Sequence, residues 1–133
     1  MKIEPIVSVG RPLITAFGAG GFRFGLPIGD LRVEGTVIIL ADTPETWAVP
    51  SMMDWTAADM APILKLSGQV EFLLLGTGAK MMPPPSFLRA LLREHGLGLE
   101  LMDTASACRA YNHLASEGRH FAAALLPVAV AIA

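Results

Sequence analysis

Val70-Glu71-Phe72-Leu73-Leu74-Leu75-Gly76-Thr77-Gly78-Ala79-Lys80 is the stretch whose reading decides the fold. Its apolar run is too short for a helix of ordinary length and is closed by glycines, which fits a strand covered on both faces, as parallel strands are. We read Val70 to Leu75 as a buried central strand running into a glycine turn at the head of a helix. Beyond the turn, Pro83-Pro84-Pro85 fixes φ for helix entry, and Phe87, Leu88, Leu91, Leu92 and His95 recur at spacings of three and four until Gly96 can end the helix. Leu97 to Met102 alternates as a strand, Asp103-Thr104 caps a second helix ending at Gly118, and Phe121 to Leu126 forms the last strand. Strand, helix, strand, helix, strand predicts a parallel or mixed sheet with right-handed crossovers.

The first half reads differently. Ile3 to Thr15 is broken by Pro5, Gly10 and Pro12 into pieces that each suit an edge strand. Gly20-Gly21 is a turn before the alternating Phe22-Arg23-Phe24; the alternative, an anion held by glycine N–H groups, lacks the following helix it needs. Leu31 to Leu40 reads as one strand passing from a half-solvated edge into the covered middle of a sheet. The loop from Glu45 to Trp55 carries two tryptophans and two methionines, which predicts an apolar surface over the core or at a contact. Thr56-Ala57-Ala58-Asp59 matches a capping box and predicts a short helix to about Leu66. The expected class is α/β or α+β, with residues 1–133 forming one domain.

Composition excludes several functions. The chain is 53% hydrophobic and 17% charged, an apolar excess that leaves surface for other proteins or for a second copy of the chain. A net charge of −2 argues against nucleic acid, whose phosphates require clustered Lys and Arg. The terminal run Phe121 to Ala133 is shorter than the ~20 residues of a membrane span and is interrupted by Pro127, so it reads as a core strand and an apolar tail. Met1 to Pro5 resembles neither a signal peptide nor a transit peptide, and the expected compartment is cytoplasmic. One cysteine and three histidines without ligand spacing predict no metal, and no cofactor is expected.

Strand exits in an open α/β sheet share a crevice where the strands adjoin. Gly76, Thr77, Gly78 and Lys80 then face Asp103 and Thr104, with Arg109 and Asn112 on the helix beyond, as a candidate pocket for a carboxylate or phosphate. The competing reading is structural: the glycines turn a strand sharply, and Arg109 and Asn112 clamp a neighbouring loop. The turn lacks the third glycine of a dinucleotide fingerprint, where Met81 stands, and lacks the Walker lysine spacing. Cys108 is either a packed cysteine or a nucleophile, with no histidine placed as its base. No catalytic residue can be named.

Phe72-Leu73-Leu74-Leu75-Gly76-Thr77-Gly78-Ala79-Lys80, the run Leu101 to Asn112, Glu117-Gly118-Arg119, Phe17-Gly18-Ala19-Gly20-Gly21-Phe22 and Glu34-Gly35-Thr36-Val37 together resemble the DUF498, or Mth938-like, domain family. That family has bacterial and archaeal single-domain members and includes the mitochondrial NADH:ubiquinone oxidoreductase complex assembly factor 3. The resemblance implies an α/β three-layer fold: a central mixed five-stranded sheet, helices on its faces and a small extra β element. It also implies a non-enzymatic binding role in building respiratory complex I, with complex I subunits or assembly factors as partners and a mitochondrial location in the eukaryotic relatives. It assigns no catalytic residue. The rival is an anion- or nucleotide-binding enzyme or sensor built on Gly76-Thr77-Gly78.

Overall fold

A computed structural model describes residues 11–27 and 29–129. The edge strands expected before Gly10, the terminus at Met1 and the last residues of the apolar tail lie outside them. Three antiparallel strands come first, β1 (Ile14–Gly18), β2 (Gly21–Leu26) and β3 (Gly29–Glu34), forming a sheet of their own. Ala19 and Gly20 make the β1–β2 turn with φ of 52° and 81°, the pattern of a two-residue type I′ hairpin.

The segment Leu31 to Leu40 is two strands rather than one. Gly35, at φ 77°, breaks it, and β4 (Val37–Ile39) belongs to the second sheet together with β5 (Pro44–Thr46). The Thr56–Asp59 capping box opens a 3-10 turn at Ala57–Met60, which continues as the short helix α1 (Ala61–Leu64). Next come β6 (Phe72–Gly76), α2 (Leu88–Glu94), β7 (Gly98–Met102), α3 (Thr104–Ser116) and β8 (Ala122–Leu125). Strand order in the second sheet is β5-β4-β8-β6-β7, with β6 parallel to both β7 and β8, and β4 antiparallel to β8.

Chain order and handedness place the helices. The step from β6 to β7 moves outward across the sheet, and the step from β7 back to β8 moves inward. Right-handed crossovers in opposite directions put α2 and α3 on opposite faces. Alternation within the strands sorts the core accordingly. Leu74, Val37, Ile39, Ala123 and Leu125 pack with Ala107, Cys108 and Tyr111 of α3 and with Phe22, Phe24 and Val33 of the small sheet. Leu73, Leu75, Ile38, Ala122 and Ala124 face Leu88 and Leu92 of α2, Ile63, and the tryptophan loop. The result is a three-layer α/β fold with a mixed five-stranded sheet in the middle.

The tryptophan loop is not an exposed surface. Trp47 and Trp55 are 8% and 5% exposed, their ring centroids lie 5.1 Å apart, and the Trp55 indole N–H donates to Pro50 O. Two large rings already cover the sheet there, and burying them outweighs presenting them to a partner. Among the described residues, the exposed large apolar side chains are instead Leu13, Met53, and Met81 and Met82 beyond the glycine turn.

Candidate functional site

Strands β6 and β7 are adjacent and parallel, with Gly76 opposite Met102, so their exits lie side by side. The helix whose head meets the glycine turn is α3; the residues directly after the turn run irregularly to Pro85 before α2 begins. Gly76 is needed there for close approach. A Cβ at this position would lie 2.9 Å from Ala107 Cβ and 3.0 Å from Thr104 Oγ1, so only glycine lets the first turns of α3 rest on the strand exit.

Two threonines hold the exits together. Thr77 and Thr104 are the buried polar side chains among the described residues. Thr104 Oγ1 accepts from Gly78 N–H at 2.8 Å and donates to Leu126 O at 2.7 Å, while Thr104 N–H donates to Gly78 O at 2.8 Å. Thr77 N–H donates to Met102 O at 2.9 Å; its hydroxyl donates to Lys80 O at 2.6 Å and accepts from Met82 N–H at 3.0 Å. The ends of β6, β7 and β8 and the chain leading to the proline run are thereby tied into one network. Buried polar groups satisfied in this way rigidify the site.

The same geometry engages the N–H groups of Thr77 and Gly78 inside the protein. A hollow of about 260 Å³ does lie over them, lined also by Thr36, Pro50, Ser51, Met52, Trp55, Leu126 and Pro127. Of the eight residues singled out from sequence, Thr77 and Gly78 line it, and Gly76 and Thr104 lie directly behind. Lys80 contributes a backbone carbonyl and is exposed. Asp103 caps α3, accepting from Ser106 N–H at 2.7 Å, and that bond, with Arg109 nearby, holds its carboxyl below the usual range.

Asn112 points elsewhere. Its amide accepts from Ile14 N–H at 2.8 Å and donates to Ile14 O at 2.9 Å, taking the place of a neighbouring strand at the open side of β1. Arg109 reaches Ser106 Oγ at 3.3 Å and lines a small hollow with Cys108, Asn112 and β1. Cys108 is 4% exposed, and desolvation pushes its thiol up to about 12, far from a thiolate nucleophile at neutral pH. Among the described residues no group of three His, Cys, Asp or Glu side chains could hold a metal, and no helix is long and apolar enough to cross a membrane.

Sequence reasoning located the strand exits but did not place Pro50, Met52 and Leu126 around them. The methionines between the two tryptophans were the available signal, and which of them is buried at the hollow depends on how the rings pack.

A mixed five-stranded sheet between helical layers, carrying a separate three-stranded sheet and a threonine-latched strand exit, defines an α/β protein of the Mth938-like class. A solved Bordetella pertussis structure described as a Mth938-like domain superposes with a TM-score of 0.73 at 24% identity, covering 99% of this chain and 94% of that one. The family model for a protein of unknown function, DUF498/DUF598, matches residues 14–126, and the chain belongs to that family. An uncharacterised Rhodobacter capsulatus protein is 40% identical over 120 residues, 90% of this chain and 87% of the relative. The rat NADH dehydrogenase [ubiquinone] 1 alpha subcomplex assembly factor 3 is 34% identical over 103 residues, which are 77% of this chain but only 56% of the rat protein. A Bartonella henselae crystal structure, described as an outer membrane protein, is 35% identical with a TM-score of 0.78, covering 90% of this chain and 97% of that one.

Proposed function

We propose that this chain is a single-domain, cytoplasmic protein-binding factor without catalysis of its own, acting in the assembly of a respiratory NADH dehydrogenase. The observation that carries this reading is the 34% identity with the rat assembly factor. Support on the surface comes from Met53, Met81 and Met82, which are 66%, 59% and 45% exposed. Their segments adjoin the hollow over Thr77 and Gly78, where Met52 lines the wall and Met82 N–H is bonded to Thr77 Oγ1. Flexible thioether side chains adapt their shape to a partner at little cost.

An affinity-tagged chain expressed in a respiring bacterium that carries its gene should co-purify subunits of the NADH dehydrogenase, and its deletion should lower the assembled enzyme on native gels. Normal assembly in the deletion strain together with empty pull-downs would sink the idea.

The hollow itself favours a second reading, in which the Gly76-Thr77-Gly78 turn and its surrounding polar residues receive a small anion or nucleotide. The engaged N–H groups of Thr77 and Gly78 stand against it. A melting screen with phosphate, nucleotides and carboxylates decides: a ligand at a hundred times its Kd adds about 2.7 kcal/mol. No shift with any of them removes this reading.

A further inference from the structure

Strand β7 lies at the margin of the five-stranded sheet, and among the described residues nothing pairs with its outer side. The register settles which backbone groups face outward. Gly98 N–H donates to Glu71 O, and Met102 O accepts from Thr77 N–H, so Gly98, Glu100 and Met102 bond toward β6. Leu99 and Leu101 therefore direct both N–H and C=O away from the sheet. Their side chains lie on the α2 face, half-buried, whereas Glu100 projects from the α3 face and is exposed. Alongside Glu100 runs a hollow of about 380 Å³, with Phe72, Leu74, Met102 and Leu114 on its apolar walls.

Charge narrows the occupant. The basic side chains at this hollow have carboxylates of their own: Arg119 pairs with Glu71 at 3.1 Å, and His113 Nε2 lies 3.3 Å from Glu117. Glu100 has no ion pair among the described residues. A second copy of the chain fits poorly, because antiparallel pairing through Leu99 and Leu101 sets Glu100 directly opposite Glu100 of the other copy, and facing like charges destabilise a strand pair.

We propose that β7 takes up an extended segment of another protein as a sixth strand, with apolar side chains beside Leu99 and Leu101 and a basic side chain against Glu100. Main-chain hydrogen bonds to Leu99 and Leu101 supply affinity, and the carboxylate supplies specificity. This deepens the protein-binding reading by naming the chemistry of a partner, and it is tested on the purified chain without any respiratory complex, so either can fail without the other.

The probe is a short capped peptide alternating lysine and valine, with its glutamate counterpart as control. Fluorescence anisotropy should show binding of the lysine peptide and none of the glutamate peptide. Glu100→Lys should weaken the former by about tenfold or more and admit the latter. N-methylation of the peptide residues that bond to β7 should abolish binding, whereas N-methylation of the alternate residues should not. Amide exchange at Leu99 and Leu101 should be fast in the free protein and slow on peptide addition. Slow exchange in the free protein, concentration-dependent self-association through this strand, or binding indifferent to Glu100→Lys or to the position of N-methylation would each overturn the proposal.

Discussion

At Gly76 the constraint is space rather than backbone conformation. The contacts a methyl group would make, 2.9 Å to Ala107 Cβ and 3.1 Å to Leu125 Cδ2, involve packed atoms on two different elements. Gly76→Ala should therefore destabilise the protein by about 1–3 kcal/mol, the usual cost of overpacking, read from urea midpoints at unchanged slope. Cys108 makes a prediction in pH. Its folded pKa is raised from the ordinary 9.0 to about 12, so between those values the unfolded chain gives up its proton while the folded chain keeps it. Stability contributed by the neutral thiol is full below pH 9 and falls as pH rises toward 12. Wild type should lose stability relative to Cys108→Ala across that window and hold level with it from pH 6 to 8. Parallel curves throughout would mean that the thiol is not desolvated.

Among the elements, α3 packs on strands of both sheets. Its first turn latches the strand exits through Thr104, its middle is Cys108 and Tyr111 in the core, and Asn112 binds β1. Tyr111 adds a hydroxyl bond to Pro12 O at 3.0 Å. Asn112→Ala leaves Ile14 N–H and O without their partner, a loss of roughly 2 kcal/mol at about 1 kcal/mol per bond. The small sheet should loosen first, so amides of β1 should exchange faster while those of β6 keep most of their protection. Asn112→Asp should recover only part of the loss, because an ionised carboxylate accepts from Ile14 N–H but cannot donate to Ile14 O. Equal effects on β1 and β6 would show that the two sheets unfold together.

For the molecule as a whole, the apolar excess divides between two cores and a small exposed remainder. Most apolar side chains serve one face or the other of the central sheet, and Leu13, Met53, Met81 and Met82 stay outside. Replacing Met81 and Met82 by lysine should leave stability within about 0.5 kcal/mol, as surface changes do, while lowering recovery of NADH dehydrogenase subunits in pull-downs. Unchanged recovery would move the binding surface elsewhere, with β7 the next place to look.

Residues 70 to 126 were legible because the helices repeat their apolar residues at spacings of three and four, β6 and β8 are short continuous apolar runs, β7 alternates, and these elements are bounded by glycine, proline or a capping side chain. Leu31 to Leu40 misled because alternation is local, whereas the transfer from one sheet to another at Gly35 depends on which distant strand each half finds. β8 was read as a strand despite the weak strand preference of Ala122-Ala123-Ala124; what the sequence did not show is its place in the middle of the sheet, where small side chains admit packed layers on both faces. The candidate site was half legible. Its glycines and threonines stood out, but whether their polar groups faced a ligand or each other was decided by partners such as Leu126 O, 22 residues from Thr104.

Sequence by itself determined the order of strands and helices in the second half, the capping box that opens the 3-10 turn before α1, the cap of α3, and the family, since all of these rest on residues close together in the chain or on shared motifs. Only the tertiary structure decided that the tryptophans are inside, that the turn's donors are engaged, and that β7 keeps an open side. Burial and hydrogen-bond satisfaction belong to pairs of groups brought together by folding, and no single position in the chain carries that information.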